Sequence, residues 1–181
     1  MKKIAVLFSG TGSNLAYILE HLHKKELEVV VAITNRPNAG GIAFAKEYDV
    51  PVEIIDSTSF ENREIFDKQI VKTLKSYDAE LTVLAGFMRI LTTVFTDEIR
   101  AINLHPSLLP RHKGIHAIER SYADEFNVGG VSVHWVTSEL DGGEIILQRE
   151  VSKIRKSFQE YEDEVKRVEK IVLCEGISRV L

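Results

Sequence analysis

The chain has 181 residues, of which 44% are hydrophobic and 28% charged, a composition typical of a folded globular protein rather than a disordered one. Its 23 basic and 27 acidic residues give a net charge of -4, which offers no support for a nucleic-acid partner. The single Cys174 excludes an intramolecular disulfide and fits a reducing compartment. The start of the chain is too short and too soon interrupted for a signal peptide, and no apolar run approaches the roughly 20 residues of a membrane span. We therefore expect one cytoplasmic domain over residues 1–181, with no nucleic-acid or membrane partner.

Strands and helices are predicted to alternate along the first half of the chain. Runs rich in β-branched residues predict buried strands over residues 2–8, 28–34, 52–56 and 80–87. Thr58 and Glu61 form a capping-box pattern. The residues that then share one helical stripe are Phe66, Ile70, Leu74 and Tyr77. We therefore expect a helix between the third and fourth strands.

The loop SGTGSNL at 9–15 joins the first strand to a helix. Backbone amides of Gly12, Ser13 and Asn14 would face an anion there, with the helix dipole behind them. The loop lacks the lysine of a P-loop, and Leu15 stands where a dinucleotide fingerprint places its third glycine. The second strand ends in Asn35 and Arg36, with no acidic residue to bind a ribose. These features favour a small phosphate ligand over NAD.

The segment NLHPSLLP at 103–110 ends an apolar strand that begins near Ile99. Asn103 and His105 are two residues apart, so their side chains share one strand face and can point at one reacting carbonyl. Asn103 can hold an oxyanion while His105 moves a proton. The later turn SELDGG, at 138–143, carries Asp141, a carboxylate that would favour the charged form of the imidazole if the two approach.

The second half of the chain predicts an antiparallel edge and a final helix. Strands over residues 130–136 and 143–151 flank the SELDGG turn as a hairpin-like pair. Ser157 and Glu160 form a second capping box, before a helix that should end near Gly176. Its apolar stripe consists of Phe158, Tyr161, Val165, Val168 and Val172. The whole pattern predicts an α/β fold, doubly wound and Rossmann-like, with a mainly parallel sheet and ligands bound beyond the carboxyl ends of the strands.

These motifs together resemble the folate-dependent formyltransferases. The mark of that superfamily is a His-Pro-Ser-Leu-Leu-Pro run with Asn two residues before the His, followed by an Asp-Gly-Gly turn. The resemblance extends from Lys3 to about Val151 and is strongest toward the branch that formylates glycinamide ribonucleotide. It implies the formyltransferase fold, and formyl transfer in purine biosynthesis from 10-formyltetrahydrofolate to the amine of glycinamide ribonucleotide. The folate would be a consumed cosubstrate rather than a tightly bound cofactor.

The resemblance also assigns roles residue by residue. Asn103, His105 and Asp141 would be catalytic. The residues expected to hold the ribonucleotide and its phosphate are Gly12, Ser13, Asn14 and Glu169. Those expected to bind the folate, partly through the apolar and arginine-bearing loop GFMRIL at 86–91, are Arg63, Met88, Arg89, Ile90, Leu91, Asn103, Thr137, Ser138, Glu139, Leu140 and Asp141. His116 matches a family histidine close to the substrate.

Other histidines and several departures from the family complete the expectations. His112 and His116 have a metal-ligand spacing, but Gly114 lies between them and no third ligand is near, so we expect no metal site. His134, inside a strand, is expected to be a satisfied structural residue. The positions that depart from the family's usual residues are Lys113, Val131, Lys170 and Cys174.

Two alternatives remain open at this stage. One is a sibling enzyme: a sugar-nucleotide N-formyltransferase would share these motifs. Methionyl-tRNA formyltransferase or formyltetrahydrofolate deformylase would bring a further domain, which we expect this chain to lack. The other is a non-catalytic Rossmann-type nucleotide-binding module, in which Asn103 and His105 would be incidental. The sequence leaves a monomer and a homodimer equally open.

Overall fold

The computed structural model describes all of residues 1–181 as seven strands and six α-helices. The strands are β1 (Lys2–Phe8), β2 (Leu27–Thr34), β3 (Val52–Ile54), β4 (Leu81–Leu84), β5 (Ala101–His105), β6 (Val128–Trp135) and β7 (Ile145–Ser152). The helices are α1 (Ser13–His21), α2 (Gly41–Glu47), α3 (Arg63–Ser76), α4 (Thr93–Thr96), α5 (Ala117–Ala123) and α6 (Phe158–Val180).

The sheet has the strand order β3-β2-β1-β4-β5-β6-β7. Strand β1 pairs in parallel with β2 and β4, and β2 pairs in parallel with β3. Strands β6 and β7 pair antiparallel. The predicted α/β class, with a mainly parallel sheet and an antiparallel edge, is confirmed.

The chain divides into two compact units, residues 1–102 with Leu181 and residues 103–180. In the first unit β1 is buried on both faces from Ile4 to Phe8, as expected of a strand between two parallel neighbours. Helix α3 buries Phe66, Ile70 and Leu74 of the predicted stripe, whereas Tyr77 lies past the last helical residue as the C-cap. Strand β4 is shorter than predicted and ends at Leu84, because the chain then turns through Gly86, whose φ of 78° lies in the left-handed region that favours glycine.

The predicted capping box of Thr58 and Glu61 is wrong. Helix α3 is capped by Asn62, whose side-chain oxygen accepts from the Ile65 amide at 2.9 Å. Thr58 lies in a separate 3-10 turn, Ser57–Ser59, and donates both its amide and its hydroxyl to Asp56. Asparagine is as good a cap as threonine, and the local turn at Asp56 takes the Thr58 groups that the box would have needed.

In the second unit α6 packs beside β6 and β7. The capping box of Ser157 and Glu160 is confirmed, with the Ser157 amide 2.7 Å from the Glu160 carboxylate and the Glu160 amide 3.2 Å from the Ser157 hydroxyl. The helix does not end near Gly176 as predicted but continues to Val180. Gly176 is a packing residue, because a Cβ there would lie 2.9 Å from a Val133 methyl. No helix in the chain is long and apolar enough to cross a membrane.

Candidate active site

Strand β5 presents Asn103 and His105 on one face at its carboxyl end. The flanking Ile102 and Leu104 are buried apolar residues that fix the strand. Asn103 is partly exposed, whereas His105 is buried. An accessible amide therefore lies next to an imidazole that is largely shielded from water.

Asp141 approaches both of these side chains. One of its carboxylate oxygens, Oδ2, lies 3.4 Å from His105 Nδ1 and accepts the Gly114 amide at 2.8 Å. The other, Oδ1, accepts from Asn103 Nδ2 at 3.4 Å. Asp141 has a φ of 50°, a left-handed conformation that aspartate tolerates better than most residues. The structure thus brings together the three residues for which the sequence predicted a common role.

The second ring nitrogen of His105 faces a main-chain carbonyl. His105 Nε2 lies 2.8 Å from the His112 oxygen. A carbonyl can only accept, so Nε2 carries a proton and Nδ1 is the nitrogen left to exchange one on the Asp141 side. Burial lowers the pKa of His105 below its usual value, while the His112 carbonyl and the Asp141 carboxylate act in the opposite direction.

The carboxyl group of Asp141 is held ionised. Burial by itself raises its pKa, but the hydrogen bond from the Gly114 amide and the nearby charge of His105 bring the pKa below the usual value. A carboxylate that remains charged beside a buried imidazole stabilises the imidazolium whenever it forms.

His134 belongs to this cluster as well, which the sequence reading missed. As expected it is buried and hydrogen-bonded, with Nδ1 2.9 Å from the Trp135 oxygen. Because that oxygen can only accept, Nε2 of the neutral ring is an acceptor, and it takes a hydrogen bond from Asn103 Nδ2 at 3.1 Å. His134 therefore fixes the orientation of the Asn103 amide. The signal was available, since a polar residue inside an otherwise apolar strand requires a partner.

The candidate phosphate loop, residues 9–14, lies in the first unit between β1 and α1. It borders a pocket of about 410 Å³ lined by Ser9, Gly10, Thr11, Arg36, Pro37, Asn38, Ala39 and Gly40. Gly12 precedes α1 with a φ of 75°, and a Cβ there would lie 2.3 Å from Gly41 Cα. The side-chain oxygen of Asn14 is buried without a hydrogen-bond partner. A helix N-terminus and an adjoining pocket are features that suit an anionic ligand.

Ser9 is a second residue that the sequence reading passed over. It is fully buried, its hydroxyl donates to Asn35 at 2.5 Å, and its oxygen accepts from the Met88 amide at 2.7 Å. The loops that follow β1, β2 and β4 are thereby joined at one hydroxyl group. A serine at the end of a buried strand gives no sequence signal for such a role, because the partners lie 26 and 79 residues away.

The loop at 86–91 exposes the side chains of Met88 and Ile90, while Leu91 is buried. The guanidinium of Arg89 lies 5.3 Å from the centre of the Phe66 ring, and its Nε is buried without a hydrogen-bond partner. Asp67, a buried carboxylate whose pKa is raised by its burial, accepts both the amide and the hydroxyl of Thr92 and so anchors the end of this loop. Arg63 is exposed at the start of α3.

The remaining predicted binding residues lie on the surface of the second unit. Thr137, Ser138, Glu139 and Leu140 are exposed in the turn before Asp141. Glu169 is half-buried on α6, and His116 is exposed at the N-terminus of α5. His112 precedes that helix, so it does not share a helical face with His116.

Comparison with known proteins gives one consistent result. The formyl transferase family model matches residues 2–177. The chain belongs to the formyl transferase family. Its 155-residue match to the phosphoribosylglycinamide formyltransferase of Haemophilus influenzae is 39% identical and covers 83% of this chain and 73% of the relative. The crystal structure of phosphoribosylglycinamide formyltransferase from Campylobacter jejuni is 49% identical, with a TM-score of 0.97 over 99% of this chain and 97% of that one. The resemblance inferred from the sequence is confirmed.

Three departures of this formyl transferase from the family pattern have defined places in the second unit. Lys113, in the loop before α5, pairs with Glu139 at 3.0 Å. Val131 is fully buried in β6, and Cys174 is buried in α6. The buried Val131 and Cys174 support the framework of the second unit.

Proposed function

We propose that this chain transfers the formyl group of 10-formyltetrahydrofolate to the amine of glycinamide ribonucleotide, giving formylglycinamide ribonucleotide and tetrahydrofolate. The observation that carries the proposal is the cluster of Asn103, His105 and Asp141, in which an amide donor and an imidazole each lie 3.4 Å from one ionised carboxylate. Acyl transfer between amines needs these three functions. Two relatives, from Haemophilus influenzae and Escherichia coli, bear the name phosphoribosylglycinamide formyltransferase.

The reaction proceeds by direct transfer, without a covalent enzyme intermediate. The ribonucleotide amine attacks the formyl carbon, forming a carbon–nitrogen bond and a tetrahedral oxyanion. Asn103 Nδ2 and protonated His105 stabilise that oxyanion. The bond between the carbon and N10 then breaks, the former amine loses a proton, and N10 gains one by way of His105.

The long contact between Asn103 and Asp141 has a place in this scheme. Asn103 Nδ2 carries two protons, one of which points to His134 at 3.1 Å while the other spans 3.4 Å to Asp141. The second bond is near the limit of hydrogen-bond length and is therefore the weaker of the two. We assign that proton to the substrate oxyanion, with the His134 bond holding the amide in place.

The ribonucleotide phosphate is assigned to the loop at residues 9–14. The amides of Gly12, Ser13 and Asn14 would meet its oxygens, with Glu169 as a further contact to the ribonucleotide. The pocket beside the loop supports this assignment. Backbone amides at a helix N-terminus bind phosphate without any basic side chain.

The folate is assigned to two segments, residues 88–91 and 137–141, together with Arg63 and Asn103. Exposed Met88 and Ile90, with Leu91 behind them, offer apolar area to a flat heterocycle. The other residues assigned to the folate are Arg63, Arg89, Asn103, Thr137, Ser138, Glu139, Leu140 and Asp141. The two arginines would meet the acidic end of the ligand.

We further infer that residues 1–181 act as one formyltransferase domain, cytoplasmic and either monomeric or homodimeric, without a nucleic-acid or membrane partner. We expect a single calorimetric unfolding transition whose van't Hoff and calorimetric enthalpies agree. Two separate transitions would contradict the single domain.

The decisive experiment is an assay of formyl transfer from 10-formyltetrahydrofolate, with glycinamide ribonucleotide and a sugar-nucleotide amine as parallel acceptors. We expect turnover with glycinamide ribonucleotide as acceptor and no turnover with the sugar-nucleotide amine. Turnover with the sugar amine alone would reassign the acceptor and keep the mechanism. No turnover with either, together with calorimetric binding of NAD(P) rather than a folate analogue, would replace the enzyme with a nucleotide-binding module.

A further inference from the structure

The loop between β5 and α5 holds a chain of polar contacts that ends at His105. The His112 carbonyl accepts from His105 Nε2, and the His112 ring bonds through Nε2 to Asp124 Oδ2 at 2.7 Å. Asp124 Oδ1 in turn accepts from Lys153 at 2.6 Å. One residue, His112, therefore contacts the candidate catalytic imidazole with its backbone and a buried ion pair with its side chain.

The outer end of this chain is firmly anchored. Lys153, only 8% exposed, also donates to the Ser121 carbonyl at 2.6 Å. Asp124 accepts the Phe126 amide at 3.0 Å as well. Burial alone would raise the pKa of the Asp124 carboxyl, but the bonds from Lys153 and His112 lower it to about 2. The carboxylate is thus a permanently charged acceptor for the His112 ring.

The His112 backbone needs such an anchor. Its φ of 57° lies in the left-handed region, which is unfavourable for a residue that carries a side chain. The orientation of a carbonyl group depends on these backbone angles. A side-chain bond that holds His112 in the left-handed conformation therefore also directs its carbonyl toward His105.

We infer that His112, anchored by Asp124 and Lys153, is a positioning residue that fixes the tautomer of His105 through its own main-chain carbonyl. With Nε2–H committed to that carbonyl, Nδ1 is the working nitrogen beside Asp141 and Asn103. The wrong tautomer of a catalytic imidazole is costly even where the geometry around it is intact. The inference rests on the catalytic role proposed for His105.

His112→Asn tests the inference most directly. Asparagine tolerates the left-handed backbone but is too short to place a donor at the Asp124 carboxylate. We expect kcat to fall about tenfold, the lower end of the loss seen when an outer partner of a functional histidine is removed. The KM values of both substrates should change less than about twofold, because no binding contact is lost. His112→Gln, whose amide nitrogen can take the place of ring Nε2, should restore most of the activity.

A spectroscopic measurement separates this inference from the proposed function. The ¹⁵N shifts of the imidazole nitrogens in labelled protein report which nitrogen of His105 is protonated, whether or not the enzyme turns over. In the wild type, the neutral His105 ring should be protonated at Nε2. In His112→Asn, the ring should populate a mixture of tautomers, and the pKa of His105 should be lower than in the wild type. The titratable and charged side chains that face the His105 ring are Asp141, His134 and Arg120, and all three are unchanged in the variant.

Two comparisons complete the test. His21→Asn removes an exposed imidazole that also faces a main-chain carbonyl, that of Tyr17 at 2.9 Å, and should leave both the tautomer and kcat unchanged. In a double-mutant cycle, Asp124→Asn combined with His112→Asn should lower kcat no further than the more harmful single change does. Both substitutions remove the same contact, the hydrogen bond between the His112 ring and Asp124. Protonated Nδ1 in wild-type His105, or an unaltered tautomer in His112→Asn, would overturn the inference. If the ¹⁵N shifts of His105 are as expected but the wild type does not transfer a formyl group, the proposed function is contradicted and the inference about His112 is not.

Discussion

The candidate catalytic cluster in the second unit and the candidate phosphate loop in the first unit are built on different principles. Asn103, His105, Asp141 and His134 hold one another through side-chain contacts in a largely buried setting. The loop at 9–14 offers backbone amides, and a pocket lies beside it. Proton transfer and oxyanion stabilisation depend on atoms held in place and shielded from water, whereas a phosphate is bound well by a helix terminus with little side-chain help. We expect mutations in the cluster to change kcat and mutations in the loop to change binding.

The largest expected effect is that of Asn103→Ala. Loss of the amide should lower kcat by about 10²–10³, the usual loss for one oxyanion donor, with a small change in KM. Steady-state kinetics on protein of wild-type unfolding temperature provides the measurement. Asn127→Ala, at an exposed asparagine of the same unit, is the matched control and should be fully active. Near-normal turnover of Asn103→Ala would remove this residue from the mechanism.

Asp141→Asn should lower kcat about tenfold by a different route. The Asp141 carboxylate favours the imidazolium of His105, so its removal should lower the pKa of His105 further below the usual value. Each unit of that decrease reduces the protonated fraction near pH 7 about tenfold. The activity of the mutant should therefore recover partly as the pH falls, because acid restores the proton.

An NMR titration of the His105 ring in wild type and Asp141→Asn, beside a pH profile of kcat, checks this expectation. A pKa that is unchanged or higher in Asp141→Asn would mean that the two groups are not coupled. The side chains of the cluster would then not act together on proton transfer, and the difference between the cluster and the phosphate loop would not hold.

Gly10→Val should act on binding alone. A Cβ at Gly10 meets no protein atom within 4 Å, and Gly10 lines the pocket beside the phosphate loop, so the new side chain would occupy ligand space. We expect the Kd of the ribonucleotide to rise about tenfold, a cost near 1.4 kcal/mol, while folate binding and the unfolding free energy stay constant. Calorimetric titration with each ligand measures the difference.

Gly12→Val provides the contrast within the same loop. Its φ of 75° and the 2.3 Å approach to Gly41 make a side chain there costly to the protein itself. This variant should lose stability as well as ribonucleotide affinity. Equal loss of both ligands in Gly10→Val would show that the pocket does not distinguish the ribonucleotide from the folate.

The sequence predicted the fold class and the grouping of Asn103, His105 and Asp141, because strand periodicity, a two-residue spacing and an Asp-Gly-Gly turn are local signals. It did not predict His134, Ser9 or His112 as parts of these sites. Each of these residues acts through a partner far along the chain or through its backbone carbonyl. Contacts of these two kinds leave no pattern in the neighbouring residues of the sequence. The misplaced cap at Thr58 and the misread Gly176 have a related cause, since tertiary packing and competing local turns decided between residues of similar propensity.

The smallest expected effect is that of Ser9→Ala, which tests whether the loops of the first unit depend on one hydroxyl group. Alanine removes the acceptor of the Met88 amide and the donor to Asn35. A buried amide left unpaired costs about 1–3 kcal/mol, so the unfolding free energy should fall by that amount. Without this bond the loop at 86–91 should be less ordered, and ordering it on folate binding should cost about 0.6 kcal/mol. That cost corresponds to a rise of about threefold in the folate KM. Because the cluster of the second unit is held by its own contacts, kcat should remain within about twofold of wild type.

Ser76→Ala, which removes an exposed hydroxyl bonded to the Thr73 carbonyl, is the control and should change neither the unfolding free energy nor the folate KM. A large fall of kcat in Ser9→Ala would mean that the chemistry is not confined to the cluster, and the contrast between the two regions would fail.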